Sequence, residues 1–254
     1  VDTVYGGDLA GSLWKIDLSH KTDTNQWGIP STLGSNALLT VTDGSNAQPI
    51  LSAPEVAKNP NGSGVIIHVG TGDLIASSGT LSNATFHSVY GIVDDGTQTI
   101  PIIRSQLQSQ TLTAISGEPN YRTLTTGTTV DNAKGWVLNL NADEHVLQTP
   151  LVRDSRLQLM ITDQVNENNW LTQVDYVTGG LPDKVVYDIN YDGLLTAALD
   201  NIGYVDATDT GKLVVAVNKN GDLLSRAVVA RNAYNDLSYT NRSVSYTHLR
   251  AHET

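Results

Sequence analysis

The chain of 254 residues carries 15 Lys and Arg against 26 Asp and Glu, a formal charge of −11. With no basic cluster, this excludes binding to nucleic acid or anionic lipid through bulk electrostatics. A hydrophobic content of 39% supports a folded core, yet no apolar run approaches the ~20 residues of a membrane span.

Short strands punctuated by Gly/Asp turns are predicted along the chain. Val4 and Tyr5 open the first, and Gly6-Gly7-Asp8-Leu9-Ala10-Gly11 follows as a tight turn. In such a turn Gly supplies positive φ and Asp bonds its own backbone. Leu13, Lys15 and Asp17 then alternate with Trp14, Ile16 and Leu18, a period-2 strand with Trp, Ile and Leu on one face. Residues 65–69 end at Gly70-Thr71-Gly72-Asp73, and 90–93 end at Asp94-Asp95-Gly96. Residues 135–140, 157–162 and 170–176 read as further strands, the last closed by Thr178-Gly179-Gly180. Asn220-Gly221 between the runs 212–218 and 223–229 is a strong hairpin signal.

Helical pattern is thin, with one short helix predicted over 194–202. Segments 25–47 and 76–86 are long enough to be functional loops. The class is therefore all-β, as a sandwich, barrel or propeller. Trp14, Trp136 and Trp170 are assigned to packing between sheets rather than to a ligand platform. Cysteine is absent, which removes disulfides, thiolate metal sites and cysteine nucleophiles together but does not fix the compartment.

The stretch from Asp2 through Val4-Tyr5-Gly6-Gly7-Asp8 to Leu13-Trp14-Lys15-Ile16-Asp17-Leu18 resembles the signature blade of the PilC/PilY family of type IV pilus-associated proteins. Gln48-Pro49-Ile50 with Ala53-Pro54, Val69-Gly70-Thr71-Gly72, and Tyr90-Gly91-Ile92-Val93-Asp94 resemble later family segments in the same order. In the last of these Val93 replaces the usual Trp. The runs at 135–140, 144–150 and 170–180 continue the likeness, which covers residues 2–230. Each motif alone is weak, and their order makes them specific.

The resemblance implies a partial β-propeller-like domain over residues 1–243, belonging to a larger secreted protein of the cell surface and pilus tip, associated with the outer membrane. It implies a non-enzymatic role in pilus assembly, retraction control and adhesion. The implied partners are pilins, minor pilins, and host or abiotic surfaces. From Val244 onward the residues resemble a translated transposase adapter from sequencing libraries. Residues 244–254 are accordingly set aside, and the native frame is expected to end near Ser243. The opening residues lack a signal-peptide pattern, which carries no information on export if the chain is a fragment.

The candidate metal site is a calcium loop. Calcium prefers 6–8 oxygen ligands, with side-chain oxygens at loop positions 1, 3 and 5, Gly at 6 and a carbonyl at 7. Asp188, Asn190, Asp192, Gly193 and Leu194 fit these positions. Position 12 is Leu199 instead of a carboxylate, with Asp200 one residue later, so the ligand is shifted or the site weakened. The family has a similar segment here, which favours Ca2+ over an ion-free Asx turn. Asp2 matches the final Asp of a second family loop but reads here as a solvated end residue.

Catalytic patterns are poor. His20, His68, His87 and His145 are scattered without metal-type spacing. His68 is expected to be a satisfied packing residue, and Asp73, Asp206 and Asp209 turn residues. Asp94-Asp95 is expected to be a surface turn rather than an acid/base pair. The alternatives are a quinoprotein-like propeller oxidoreductase, which would need converging Arg/Lys and a carboxylate set, and a carbohydrate-binding β domain, which 6% aromatics disfavours.

Overall fold

The computed structural model describes residues 2–73, 84, 86–97, 101–115, 118–125, 134–163, 165 and 168–182, with the short pieces 187–188, 215–217 and 228–229. The first sheet grows from its turn. β1 (Thr3–Gly7) and β2 (Ser12–Asp17) are antiparallel, with Thr3 opposite Asp17 and Gly7 opposite Leu13. Asp8 closes the turn, its carboxylate accepting from Ser12 N and from Trp14 Nε1, each at 2.8 Å. Gly11 sits at φ +75°, and a Cβ there would lie 2.6 Å from the Val41 carbonyl oxygen, so the motif glycine is a steric requirement. β3 (Leu39–Thr40) completes this sheet against β2.

The second sheet runs through β4 (Glu55–Lys58), β5 (Val65–Gly70) and β6 (Ser88–Asp94), all antiparallel. The chain then detours through β7 (Gln108–Ile115) and β8 (Glu118–Leu124) before β9 (Gly135–Asn139) returns to pair with β6. β7 lies parallel to β9 on its far side. The β7–β8 hairpin is absent from the sequence reading because β7 is mostly Gln, Ser and Thr and β8 mixes Glu, Pro, Asn and Arg with few apolar residues. Its apolar content reduces to residues such as the buried Leu112 and Leu124.

The third sheet begins with β10 (Glu144–His145) and β11 (Leu151–Arg153), both paired with β12 (Arg156–Asp163), which pairs with β13 (Asn168–Asp175). β12 alternates strictly between buried and half-buried residues, the period of a sheet with one packed face. β14 (Tyr187–Asp188) pairs with β16 (Val228–Val229), and β15 (Val215–Val217) joins β13. The described flanks of Asn220-Gly221 thus pair with other strands. The turn itself and the helix expected at 194–202 lie outside the described residues, as do Asp206, Asp209 and residues 244–254. Among the described residues there is no α-helix, only three 3-10 turns, so the all-β expectation holds.

Two apolar layers hold the sheets face to face. Leu13, Leu39, Ile50, Ile67, Tyr90 and Ile92 fill the space between the first and second sheets. Trp136, Leu138, Leu157, Leu159, Ile161 and Val174 fill that between the second and third. Segment 25–47, expected to be a functional loop, contributes to the first layer. Two 3-10 turns, at Thr24–Gln26 and Ser31–Leu33, fold it back so that Leu33, Leu38 and Val41 are buried. Trp136 and Trp170 are buried as expected, whereas Trp14 is only half-buried.

An ionic clamp joins the first two sheets. Asp94 is 3% exposed. One of its oxygens accepts from Tyr5 OH at 2.6 Å and meets Lys15 Nζ at 2.7 Å. This corrects the surface-turn expectation. β6 extends through Asp94, so the side chain lies on the face it shares with Tyr90 and Ile92. The other Asp94 oxygen still closes the turn, accepting from Gly96 N at 3.0 Å, and Asp95 accepts from Thr97 N and Oγ1. The Tyr5 hydroxyl pKa is raised by burial first and then by the Asp94 carboxylate.

Removing one partner of a buried pair leaves the other charge uncompensated. Asp94→Ala is therefore expected to lower the unfolding free energy by about 3 kcal/mol. Asp95→Ala is expected to change it by less than about 1 kcal/mol. Urea unfolding midpoints of the two variants measure the contrast, and equal effects would contradict the clamp.

Candidate functional site

The polar centre of the molecule lies where β5 gives way to Gly70-Thr71-Gly72-Asp73. Thr71 N donates to Ser88 O at 2.9 Å and Gly72 N to Pro49 O at 3.0 Å, while Val146 N donates to Thr71 O at 3.0 Å. A Cβ on Gly70 would lie 2.3 Å from Val146 Cγ1, and one on Gly72 2.8 Å from Leu147 Cδ2. The glycines let this turn lie against the chain entering the third sheet, so the Gly-Thr-Gly segment is a packing device.

Gln48, from the Gln-Pro-Ile motif, is fully buried beside it. Its Nε2 donates to Phe86 O at 2.7 Å and its Oε1 accepts from Tyr90 OH at 2.6 Å. Arg104 donates to the Tyr90 hydroxyl and to Asn139 Oδ1. Burial pushes the Tyr90 hydroxyl up to about 12 against the opposing charge of Arg104.

Next to this network the fold brings together two histidines that the sequence leaves far apart. His87 opens onto β6 and His145 belongs to β10, and their ring centroids are 4.6 Å apart. This corrects the expectation of scattered histidines, because the packing of the third sheet against the second, rather than linear spacing, creates the pair. Asp73 is also not a surface turn residue: it is 2% exposed. Its backbone N donates to His145 Nδ1 at 3.0 Å. An Nδ1 that accepts carries no proton, so His145 is the neutral Nε2–H tautomer.

Burial lowers the His87 pKa to about 4, helped by His145 and opposed by Asp73 and Asp43. Burial also lowers His145, against Asp73, Asp143 and Asp163. Close by, Arg122 meets the buried Glu144 at 2.5 Å and lies 3.6 Å above the Trp170 ring. The chemistry open to this closed, neutral pair is proton uptake at low pH.

His68 is a packing residue as expected, but only one of its ring nitrogens is satisfied, Nδ1 being buried without a hydrogen-bond partner among the described residues. It is fully buried, its Nε2 donates to Tyr176 O at 2.7 Å, and burial lowers its pKa to about 4. The carbonyl fixes the tautomer, since it can only accept.

Of the predicted metal ligands, Asp188 ends β14 opposite Val228. Asn190, Asp192, Leu194 and Asp200 lie outside the described residues. Asp2 is exposed, and its carbonyl accepts from Leu18 N at 2.8 Å. It borders an open groove of ≈ 450 Å³ that also includes Thr3, Lys15, Asp17 and Ser31. Among the described residues no group of three or more His, Asp and Glu side chains has the arrangement of a metal site. No helix among them is long and apolar enough to cross a membrane.

Residues 1–118 match the family described as the PilY1 beta-propeller domain. A type IV pilus biogenesis factor PilY1 homolog of Xylella fastidiosa is 32% identical over 202 residues, covering 71% of this chain and 13% of the relative. A type IV pilus biogenesis factor PilY1 of Pseudomonas aeruginosa is 25% identical over 259 residues, covering 80% of this chain and 22% of the relative. This chain thus spans a small part of each relative's length. Among solved structures, the Pseudomonas aeruginosa PilY1 C-terminal domain superposes with a TM-score of 0.69 at 20% identity, over 90% of this chain and 57% of that one. That likeness establishes the shared fold.

The buried histidines set an acid limit. Their folded pKa values lie below the unfolded value of 6.5. Between pH 6.5 and about 4 the unfolded chain therefore binds protons that the folded chain does not. Stability is full above pH 6.5 and falls as pH drops toward 4. His87→Gln removes one such group, so its unfolding free energy is expected to fall less steeply over this window. Urea titrations at several pH values compare the slopes, and identical slopes would contradict the assignment.

Proposed function

Because this chain belongs to the PilY1 β-propeller domain family, we propose that it serves type IV pilus biogenesis as a non-enzymatic, calcium-holding scaffold at the cell surface and pilus tip. The observation that carries the reading is the family match over residues 1–118. The ordered motifs from Asp2 to Gly180 and the fold shared with a PilY1 C-terminal domain accompany it. The relatives are named as biogenesis factors. On this reading the domain works by presenting surface to pilins, minor pilins and host or abiotic surfaces, and thereby bears on assembly, retraction and adhesion.

Calcium is part of the proposal. Two carboxylates at Asp188 and Asp192, the amide oxygen of Asn190 and the backbone carbonyl of Leu194 are hard oxygen donors of the kind calcium selects. Asp200 supplies a further carboxylate one residue beyond the usual last position. The ion would neutralise part of the acidic excess and cross-link a loop that begins at the end of β14.

Two measurements test these readings separately. If the loop binds calcium, saturating the chain at about a hundred times its dissociation constant is expected to raise the melting temperature by about 5–10 °C relative to chelator. The double variant Asp188→Ala, Asp192→Ala is expected to lose that shift. A calcium-independent midpoint in the parent chain would remove the ion from the proposal. For the pilus role, deletion of this domain from the full-length gene in its host is expected to abolish surface piliation and twitching. Wild-type pili and motility in that strain would overturn the functional reading.

A further inference from the structure

The connection between β4 and β5 runs Asn59-Pro60-Asn61-Gly62-Ser63-Gly64. Three hydrogen bonds hold it, and all three converge on Asn59. Its N donates to Gly64 O at 3.2 Å, its Nδ2 donates to Ser63 O at 3.3 Å, and its Oδ1 accepts from Asn61 N at 3.1 Å. Asn59 itself is 8% exposed. Gly64 takes φ +83°, and a Cβ there would collide with the Asp94 carbonyl oxygen. The base of the turn is therefore pinned to the end of β6.

The tip beyond these bonds is open. Residues 60–64 are exposed. Among the described residues, no hydrogen bond engages the Gly62 N–H or the Asn61 side-chain amide. Gly62 has no Cβ to crowd the approach of its own nitrogen to the Asn61 amide carbon. An exposed loop tip of small polar residues is also where local backbone rearrangement costs least. Two other asparagines show what protection requires. Asn59 precedes Pro60, whose nitrogen carries no hydrogen. Asn36 is exposed, but its Nδ2 donates to Leu33 O at 3.0 Å and its successor, Ala37, is only 6% exposed.

We propose that Asn61-Gly62 is a self-modifying site, at which the Asn61 side-chain amide is lost as ammonia with water as the co-reactant. Hydroxide removes the Gly62 amide proton. The nitrogen forms a bond to Asn61 Cγ, the Cγ–Nδ2 bond breaks, and ammonia leaves with a proton taken from water. The succinimide so formed adds water at one of its two carbonyls. Opening at Cγ gives aspartate. Opening at the backbone carbonyl carbon gives isoaspartate, with the main chain routed through the side chain. Either product adds a carboxylate to a chain whose formal charge is already −11. Isoaspartate also lengthens the main chain by a methylene, and with Gly64 pinned the tip at residues 60–63 must absorb it. The proposal rests on this turn and stands apart from the calcium and pilus readings.

Ageing the purified chain at mildly alkaline pH and physiological temperature tests it. Aliquots are digested and mapped by mass spectrometry, with isoaspartate scored by enzymatic methylation. Asn61 is expected to gain about one dalton and to convert at least about tenfold faster than Asn36. Its rate in the folded chain is expected to lie within about threefold of that in the urea-unfolded chain, because no bond protects the tip. Gly62→Ala is expected to slow conversion at least about tenfold, since a Cβ at residue 62 crowds the ring closure. The fold tolerates this variant, because that Cβ meets only Asn59 Nδ2, at 3.4 Å. Asn61→Gln is expected to remove the aged acidic species assigned to residue 61, since a larger ring closes more slowly. The second Asn-Gly pair, at 220–221, lies outside the described residues and is followed as a separate peptide.

An Asn61 that keeps its amide in the folded chain while it converts in urea overturns the proposal. So does conversion no faster than at Asn36, or conversion unchanged in Gly62→Ala. Asn61-Gly62-Ser63 also has the N-x-Ser pattern of a glycosylation acceptor. A sugar on Asn61 in the parent protein purified from its host would block the amide and likewise overturn it.

Discussion

One carbonyl oxygen, that of Tyr176, receives two donors from the neighbouring sheet: His68 Nε2 at 2.7 Å and Trp136 Nε1 at 3.2 Å. Both rings are buried, so neither N–H has water to turn to, and leaving either unpaired is costly. The constraint sets how the third sheet lies on the second. Tyr176 follows β13 in a turn closed by Asp175, whose carboxylate accepts from Val177 N and Thr178 N. In that turn Gly179 takes φ +72°, and a Cβ there would lie 2.3 Å from the Trp136 ring. The Thr-Gly-Gly segment is thus shaped by the indole it covers.

The same logic recurs at the first sheet with different chemistry. There the tie is Asp94 with Lys15 and Tyr5, and the turn residue is Asp8 with its own indole, Trp14. A single β-sheet cannot bury either of its faces by itself. Each layer therefore depends on a neighbour, and a few directional bonds select the angle at which apolar faces meet. Dispersion and burial supply the bulk of the attraction, while these bonds choose among packings that burial alone would rate alike.

Much of this was legible in the sequence. Alternation exposed β2, and Gly/Asp punctuation located the turns at Asp8, Asp94-Asp95 and Thr178-Gly179-Gly180. Apolar runs exposed β5, β6 and β9, whose two faces are both covered. The β7–β8 hairpin was not legible, because its largely polar strands carry neither strong alternation nor an apolar run. The roles of Asp94, Asp73, His87 and His145 were not legible either. Each depends on which residue of another sheet packs against it, and that is a property of the assembled molecule rather than of any one strand. The propeller class itself came from ordered resemblance, since strands and turns alone are equally compatible with sandwiches and barrels.

The detour between β6 and β9 bears on how the molecule is made. β6 ends at Asp94 and its partner β9 begins at Gly135. Closing an excursion of about forty residues is entropically unfavourable before any contact across it compensates, and non-local pairing of this kind slows folding. During synthesis the N-terminal hairpins can form as soon as they emerge, but the second sheet stays incomplete until β9 arrives. Until then Val89, Tyr90 and Ile92 lack one neighbouring strand. A polypeptide built this way acquires its interior in instalments, so the interval between β6 and β9 is the stage at which it most needs protection from aggregation.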